Sequence, residues 1–403
     1  MMEAYVDAVV SEIEITPAFV GSGTGDSEGK DRRDAHDEPP SMPLRTIYFG
    51  GGTPSLIPLK SLERILTALR RRFGAAQTQE ITIEADPGTF DLGTIRAYVD
   101  LGITRMSVGV QAFDDDLLSL CGRSHSLYDV YKAIDDIHSS SIPSWSMDLI
   151  SGLPNLTLDL WEQNVLRAID AAPKHVSSYD LQVEPKTPFG RMFTPGAAPL
   201  PSDGDAASMY AMASAMFRGA GYDHYELSSY ALRRGEHIDH RCLHNGVYWD
   251  GAGYYGFGMG AASYIGGVRV VRPRRLNAYM DWVEDFEAKA ADGVACLPHQ
   301  DGMRATGKDM LEDEIMLQLR KGRGLRLRER VVDRFVRGEV LGDAILRAVE
   351  ESVERGLVEV EREEEEGKKN EVVVRLTDPE GFLMSNDVIS DVFLGLDEVE
   401  KDV

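Results

Sequence analysis

Apolar positions along the first half of the chain follow two alternating patterns. Tyr5, Val9, Ile13 and Ile15 recur at near-helical spacing among acidic residues, so residues 1–20 are expected to hold an amphipathic helix. From Thr46 onward, short runs rich in β-branched and aromatic residues alternate with longer amphipathic stretches. The runs predict strands at Thr46–Gly50, Glu80–Ala85, Arg105–Gln111, Trp145–Ile150 and His175–Val183. The stretches that follow them predict helices at Leu59–Phe73, Leu92–Leu101, Ser126–Ser139, Leu158–Ala171 and Asp203–Gly219. Strands alternating with helices of this length indicate an α/β fold with a parallel sheet, open or curled into a barrel. A barrel of this kind expects one more strand ahead of the first helix, where this chain has no residues.

The remaining segments differ in character. Residues 21–43 are poor in apolar residues and rich in Gly, Ser, Pro and charge, the composition of a disordered, solvated insertion. Residues 44–230 carry the strand–helix rhythm, and 231–302 form a connection. In 303–403, Leu311–Arg320 and Leu341–Arg355 read as helices, and Leu357–Val360 and Val372–Leu376 as strands joined by an acidic turn. Helices followed by a strand pair predict a small winged-helix-like module.

Composition excludes several function classes. The 43 basic residues against 67 acidic ones, a net charge of −24, argue against a nucleic-acid partner, which needs a basic face. No apolar stretch approaches the ~20 residues of a membrane span, and no signal peptide is visible. Cys121, Cys242 and Cys296 lie far apart, without a CxxC pair, which excludes a disulfide framework and fits a reducing compartment.

Chemistry gathers at the strand ends. Thr46-Ile-Tyr-Phe-Gly-Gly-Gly-Thr-Pro-Ser-Leu56 reads as a strand breaking into a glycine turn, where backbone can approach a ligand without a Cβ in the way. In a parallel array the carboxyl ends of the strands line one face, where ligands sit. Those ends supply Gly51, Gly52 and Thr53, then Glu84, then Gln111, then Arg123 with His125, then Asp148. Glu84 can accept bonds from ribose hydroxyls, Gln111 can donate and accept, Arg123 can fork onto a carboxylate, and Asp148 can hold an ammonium or a hydroxyl. Together they suit an amino-acid-bearing nucleoside.

These residues carry a resemblance. Tyr48-Phe-Gly-Gly-Gly-Thr-Pro-Ser, Ile83-Glu-Ala-Asp-Pro-Gly-Thr, Ser107-Val-Gly-Val-Gln-Ala-Phe, Gly122-Arg-Ser-His and Asp148-Leu-Ile-Ser-Gly-Leu-Pro resemble the radical S-adenosylmethionine (radical SAM) family of oxygen-independent coproporphyrinogen III oxidases. Tyr225-Glu-Leu-Ser-Ser-Tyr-Ala, His244-Asn-Gly-Val-Tyr-Trp249 and Gly256-Phe-Gly-Met-Gly-Ala resemble its HemW-type heme chaperone branch. The resemblance implies a partial (β/α)6 radical SAM barrel lacking its first strand, followed by the family's C-terminal domain. It implies that Gly51, Gly52 and Thr53 hold the methionyl end of S-adenosylmethionine, that Glu84 holds its ribose, and that Gln111, Arg123 and Asp148 contact it. It also makes His244 the heme-linked histidine, and a neutral imidazole does suit iron. Cys242 stands close enough in sequence to be a second iron ligand or a structural thiol.

The family carries a [4Fe–4S] cluster on a CxxxCxxC motif upstream of the segment matching Met1-Met-Glu-Ala-Tyr-Val, and the three cysteines here do not reproduce it. The expectation is therefore an incomplete gene model or a truncated form, the complete chain of which carries the cluster. The implied function is a heme chaperone that binds heme or porphyrin and serves a heme-receiving apoprotein. The alternatives are coproporphyrinogen III oxidation and an inactive form. Dimerisation and compartment, whether cytoplasm, mitochondrion or plastid, stay open in the sequence.

Overall fold

The structure, a computed structural model, describes residues 1–17, 44–74, 78–233, 239–292, 306–363 and 370–401. The insertion expected at 21–43, most of the acidic turn and Cys296 lie outside the described residues. The chain gathers into two compact units. One comprises Met1–Phe49, Leu56–Thr82 and Ala252–Thr306, the other Gly50–Ser55, Ile83–Gly251 and Gly307–Val403.

The main sheet contains β1 (Thr46–Phe49), β2 (Glu80–Ala85), β3 (Arg105–Gln111), β4 (Ser144–Ser151), β5 (His175–Asp180), β6 (Tyr222–Glu226) and β7 (Ser229–Leu232). Its strand order is β1-β2-β3-β4-β5-β7-β6. β3 to β5 pair in parallel, as the strand–helix alternation predicts. β7 then pairs antiparallel with both β5 and β6, which closes the row with a hairpin that the sequence pattern did not announce. β5 ends at Asp180, three residues before its expected end, where its pairing with Ser151 stops.

Side chains sort to two faces across these strands. Met106, Val108, Trp145, Met147, Leu149 and Val176 are buried on one, while Arg105, Ser107, Ser146, Asp148, His175 and Ser177 alternate with them on the other. The connecting helices start where the sequence supplies caps. Asp91 accepts from Thr94 N–H ahead of Leu92–Leu101, and Ser126 and Asp129 form a capping box ahead of Leu127–His138.

Within the second unit, residues 311–396 build their own apolar core around Ile315, Leu319, Leu325, Ile345, Val374 and Val392. It includes a three-stranded antiparallel sheet of Leu325–Arg326, Glu371–Leu376 and Val358–Glu363.

In the first unit, helix Met2–Ile15 packs on helices Leu59–Phe73 and Leu276–Ala291. Glu12 is fully buried there and receives Arg272 Nε at 2.8 Å, Tyr279 Oη at 2.6 Å and Gly258 N–H at 2.9 Å. Gly256-Phe-Gly-Met-Gly-Ala is thus structural in part: Gly258 has φ +96°, and a Cβ on it would stand 2.6 Å from Tyr5 Oη.

Candidate functional site

The glycine turn after β1 uses backbone that only glycine adopts easily. Gly51 and Gly52 have φ of 82° and 66°, and the positions their Cβ atoms would take are open space. Gly51 N–H donates to Glu84 Oε2 at 3.0 Å, so the turn and the end of β2 are joined directly. Thr53 Oγ1 donates to Asp86 Oδ2 at 3.1 Å, and Arg123 Nη1 lies 3.3 Å from Asp86 Oδ1. Asp86, one residue beyond the end of β2, therefore gathers two of the sequence-predicted residues.

Gln111 is buried and takes a left-handed φ of 67°, beyond a register irregularity between Val108 and Gln111. Such a bulge re-aims a side chain. A Cβ on Gly109 would stand 2.6 Å from Gln111 Nε2 and 2.9 Å from Asp86 Oδ1, which places the amide and the carboxylate against the same spot. His125 is buried beside this group and burial lowers its pKa.

Asp148 lies on the polar face of β4. Ser107 Oγ donates to it at 3.0 Å, and Ser177 bonds it from β5. Burial chiefly, and the Glu84 charge to a smaller extent, push its pKa up to about 6, against the opposing effect of the two serines and Arg105. Asp148 therefore sits near its ionisation midpoint in mildly acidic solution. The strand ends thus bring Thr53 and Arg123 onto Asp86 with Gln111 against the same spot, and join Gly51 to Glu84, whose charge is felt by Asp148.

His244 belongs to a separate place, the short helix Leu243–Trp249. Its Nε2 lies 2.9 Å from Tyr248 Oη, one helical turn on, and the two rings meet edge to face. Burial lowers its pKa to about 4, so the imidazole is neutral across the physiological range. Cys242 precedes the helix with its side chain buried.

This helix is held at both ends by residues that sequence reasoning missed. At its start, Cys242 N–H donates to Tyr225 Oη at 3.3 Å. Tyr225 Oη in turn lies 2.8 Å from His175 Nε2, and His175 Nδ1 lies 2.8 Å from Ser146 Oγ. At its end, Gln318 Nε2 donates to Trp249 O at 2.9 Å, while Lys321 and Arg323 reach Asp250. Tyr225 stood inside a quoted motif, and Asp86 inside Ile83-Glu-Ala-Asp-Pro. His175, Gln318 and Lys321 carry no local signal.

Among the described residues no group of three or more His, Cys, Asp or Glu side chains could hold a metal ion. Cys121 follows helix Asp115–Leu120 and Cys242 precedes helix Leu243–Trp249, and neither forms a disulfide among the described residues.

Turn glycines, a carboxylate and a guanidinium gathered at the ends of strands in a sheet whose β3, β4 and β5 are parallel make this an α/β protein with a polar strand-end site, the architecture of the radical SAM class. The Radical SAM superfamily model matches residues 35–167. The fold is that of the coproporphyrinogen III oxidase HemN from Escherichia coli, a radical SAM enzyme, with a TM-score of 0.72 and 19% identity over 97% of this chain and 83% of that one. A heme chaperone HemW from Synechocystis sp. is 39% identical over 365 residues, covering 89% of this chain and 84% of that protein. HemW from Bacillus subtilis is 31% identical over 353 residues, covering 87% and 86%. The chain belongs to the HemW family.

Proposed function

We propose that this protein is a heme chaperone, binding heme at His244 and S-adenosylmethionine at the strand ends, and passing heme to an apoprotein. The observation that carries the heme assignment is the state of His244: a half-buried neutral imidazole on a helix braced at both ends. A neutral ring offers iron a nitrogen lone pair without first losing a proton. Tyr248 Oη, which faces Nε2, belongs to a residue 41% exposed.

For S-adenosylmethionine the donor set fits. The turn glycines leave open space, Glu84 suits the ribose, Arg123 suits the methionyl carboxylate and Asp148 suits its ammonium. When bound, S-adenosylmethionine supplies a reducible sulfonium. The chain's own residues orient it: Gly51 N–H holds Glu84 in place, and Asp86 fixes Thr53 and Arg123.

The chaperone reading is favoured over coproporphyrinogen oxidation because the curated relatives at 39% and 31% identity carry the chaperone name, while the oxidase likeness at 19% speaks for the fold alone. Among the described residues no helix is long and apolar enough to cross a membrane. A spectroscopic titration with hemin tests the proposal. One equivalent is expected to bind with a Soret shift that His244→Ala abolishes, and full binding by His244→Ala would overturn the assignment.

A further inference from the structure

Arg123 is under-used in the free protein. A guanidinium offers five N–H donors and meets a carboxylate best as a fork, with both oxygens. Among the described residues the Arg123 guanidinium has one partner, Asp86 Oδ1, reached through Nη1 alone at 3.3 Å. The second oxygen of Asp86 is held elsewhere, since Oδ2 accepts from Thr53 Oγ1 at 3.1 Å. The Arg123 and Asp86 side chains are 31% and 23% exposed, so solvent reaches the pair. A part-exposed ion pair with a single contact is weak, and opening it costs little.

The frame around this contact is fixed. Asp86 stands in the turn after β2, where Thr89 N–H and Thr89 Oγ1 donate to its carbonyl at 3.1 Å and 2.6 Å. Its carboxylate is thus anchored through Oδ2 on a tied backbone and exchangeable at Oδ1. Thr53 follows the glycine turn, whose Gly51 N–H is bonded to Glu84 and whose Cβ positions are open space. Gln111 Nε2 and Asp86 Oδ1 both stand against the point that a Cβ on Gly109 would take. A positive and a negative group therefore share one accessible place beside the open turn.

We propose that Asp86 is a ligand-contacting residue, and that the ligand's amino-acid group inserts into the Arg123–Asp86 pair. The ligand carboxylate takes Arg123 in a two-oxygen fork, and the ligand ammonium takes Asp86 Oδ1. The inference deepens the S-adenosylmethionine reading and rests on it. Charge balances in the exchange, because one internal ion pair opens and two form with the zwitterion. The guanidinium also gains, passing from one contact to a fork. Three N–H donors on an ammonium accommodate Asp86 in addition to Asp148. A ligand that carries only one of the two charged groups forms only one of the two new pairs, so the site selects an intact amino-acid group.

Isothermal titration of the full chain with three nucleosides tests this. S-adenosylmethionine carries both charged groups, its decarboxylated form keeps the ammonium alone, and methylthioadenosine has neither. Asp86→Asn is expected to weaken S-adenosylmethionine and its decarboxylated form about tenfold each, close to one charge-assisted hydrogen bond. Arg123→Gln should weaken S-adenosylmethionine by a similar factor and the decarboxylated form far less. Neither variant should change the affinity for methylthioadenosine, which reports that the nucleoside site is still folded. An Asp86→Asn variant that weakens methylthioadenosine as much as S-adenosylmethionine would reduce Asp86 to a structural role and overturn the proposal. So would one that binds S-adenosylmethionine more tightly, since Asp86 would then only compete for Arg123. Wild-type binding of S-adenosylmethionine with no effect of Asp86→Asn overturns the proposal alone, whereas a wild type that binds none of the three overturns the S-adenosylmethionine reading with it.

Discussion

His175 Nε2 and Tyr225 Oη lie 2.8 Å apart, and the tyrosine hydroxyl also accepts from Cys242 N–H at 3.3 Å. His175 is buried and its pKa is pushed well below the usual value, so the ring is neutral and carries one proton between its contacts with Tyr225 Oη and Ser146 Oγ. A hydrogen-bonded chain thus runs from the Cys242 amide to β4.

Tyr225→Phe breaks that chain at its centre by removing the hydroxyl that meets both the Cys242 amide and His175 Nε2. The expected loss is about 1–3 kcal/mol of stability, the cost of stranding buried polar groups. Urea denaturation measures it. Hemin affinity should fall as well, because the start of the His244 helix is released.

With His244 as the proposed heme ligand, its protonation is expected to set an acid limit on heme binding. Its folded pKa of about 4 lies below the ordinary value of about 6.5. Between those values the unfolded chain takes up a proton that the folded one does not. The stability contribution therefore rises with pH through that window and is complete above it. The wild-type stability relative to His244→Ala should climb from pH 4 to 6.5 and then level off. Hemin affinity should stay constant from pH 5 to 8, whereas a midpoint near 6.5 would place the ligand elsewhere.

Gly109 is packed too closely to tolerate a side chain. Alanine there would press on Gln111 Nε2 and Asp86 Oδ1. Displacement of both groups should cost about 1–3 kcal/mol, the usual range for overpacking. Isothermal titration should show S-adenosylmethionine binding lost or severely weakened in Gly109→Ala, while hemin binding at the separate His244 helix persists.

The Glu12–Arg272 pair is fully buried, and removal of one partner strands the other. Arg272→Met should cost about 3–5 kcal/mol by chemical denaturation, because Glu12 is left as an uncompensated charge. Replacing both residues by apolar ones of similar volume should recover much of that loss. If the single and double variants proved equally unstable, packing of Arg272 on Trp282, 5.6 Å from the ring centroid, would carry the effect instead.

The sequence by itself determined the strand–helix order and the polar set at the strand ends. Helices Leu59–Phe73 and Leu92–Leu101 and strands β2 and β3 fall where apolar periodicity places them, because periodicity and capping are local. Gly51, Glu84, Gln111, Arg123 and Asp148 were legible because a parallel array puts strand ends on one face whatever the packing. Only the tertiary structure decided the rest. β6 and β7, with sequences Tyr-Asp-His-Tyr-Glu and Ser-Tyr-Ala-Leu, lack a strong apolar run, and β7 is held by pairing with β5. Asp86 became the hub of the strand-end site through bonds to residues 33 and 37 positions away. The brace on the His244 helix draws Ser146, His175, Tyr225, Gln318 and Lys321 from distant segments. No periodicity records such meetings, because hydrogen bonds and ion pairs act over a few ångströms of space and are indifferent to distance along the chain.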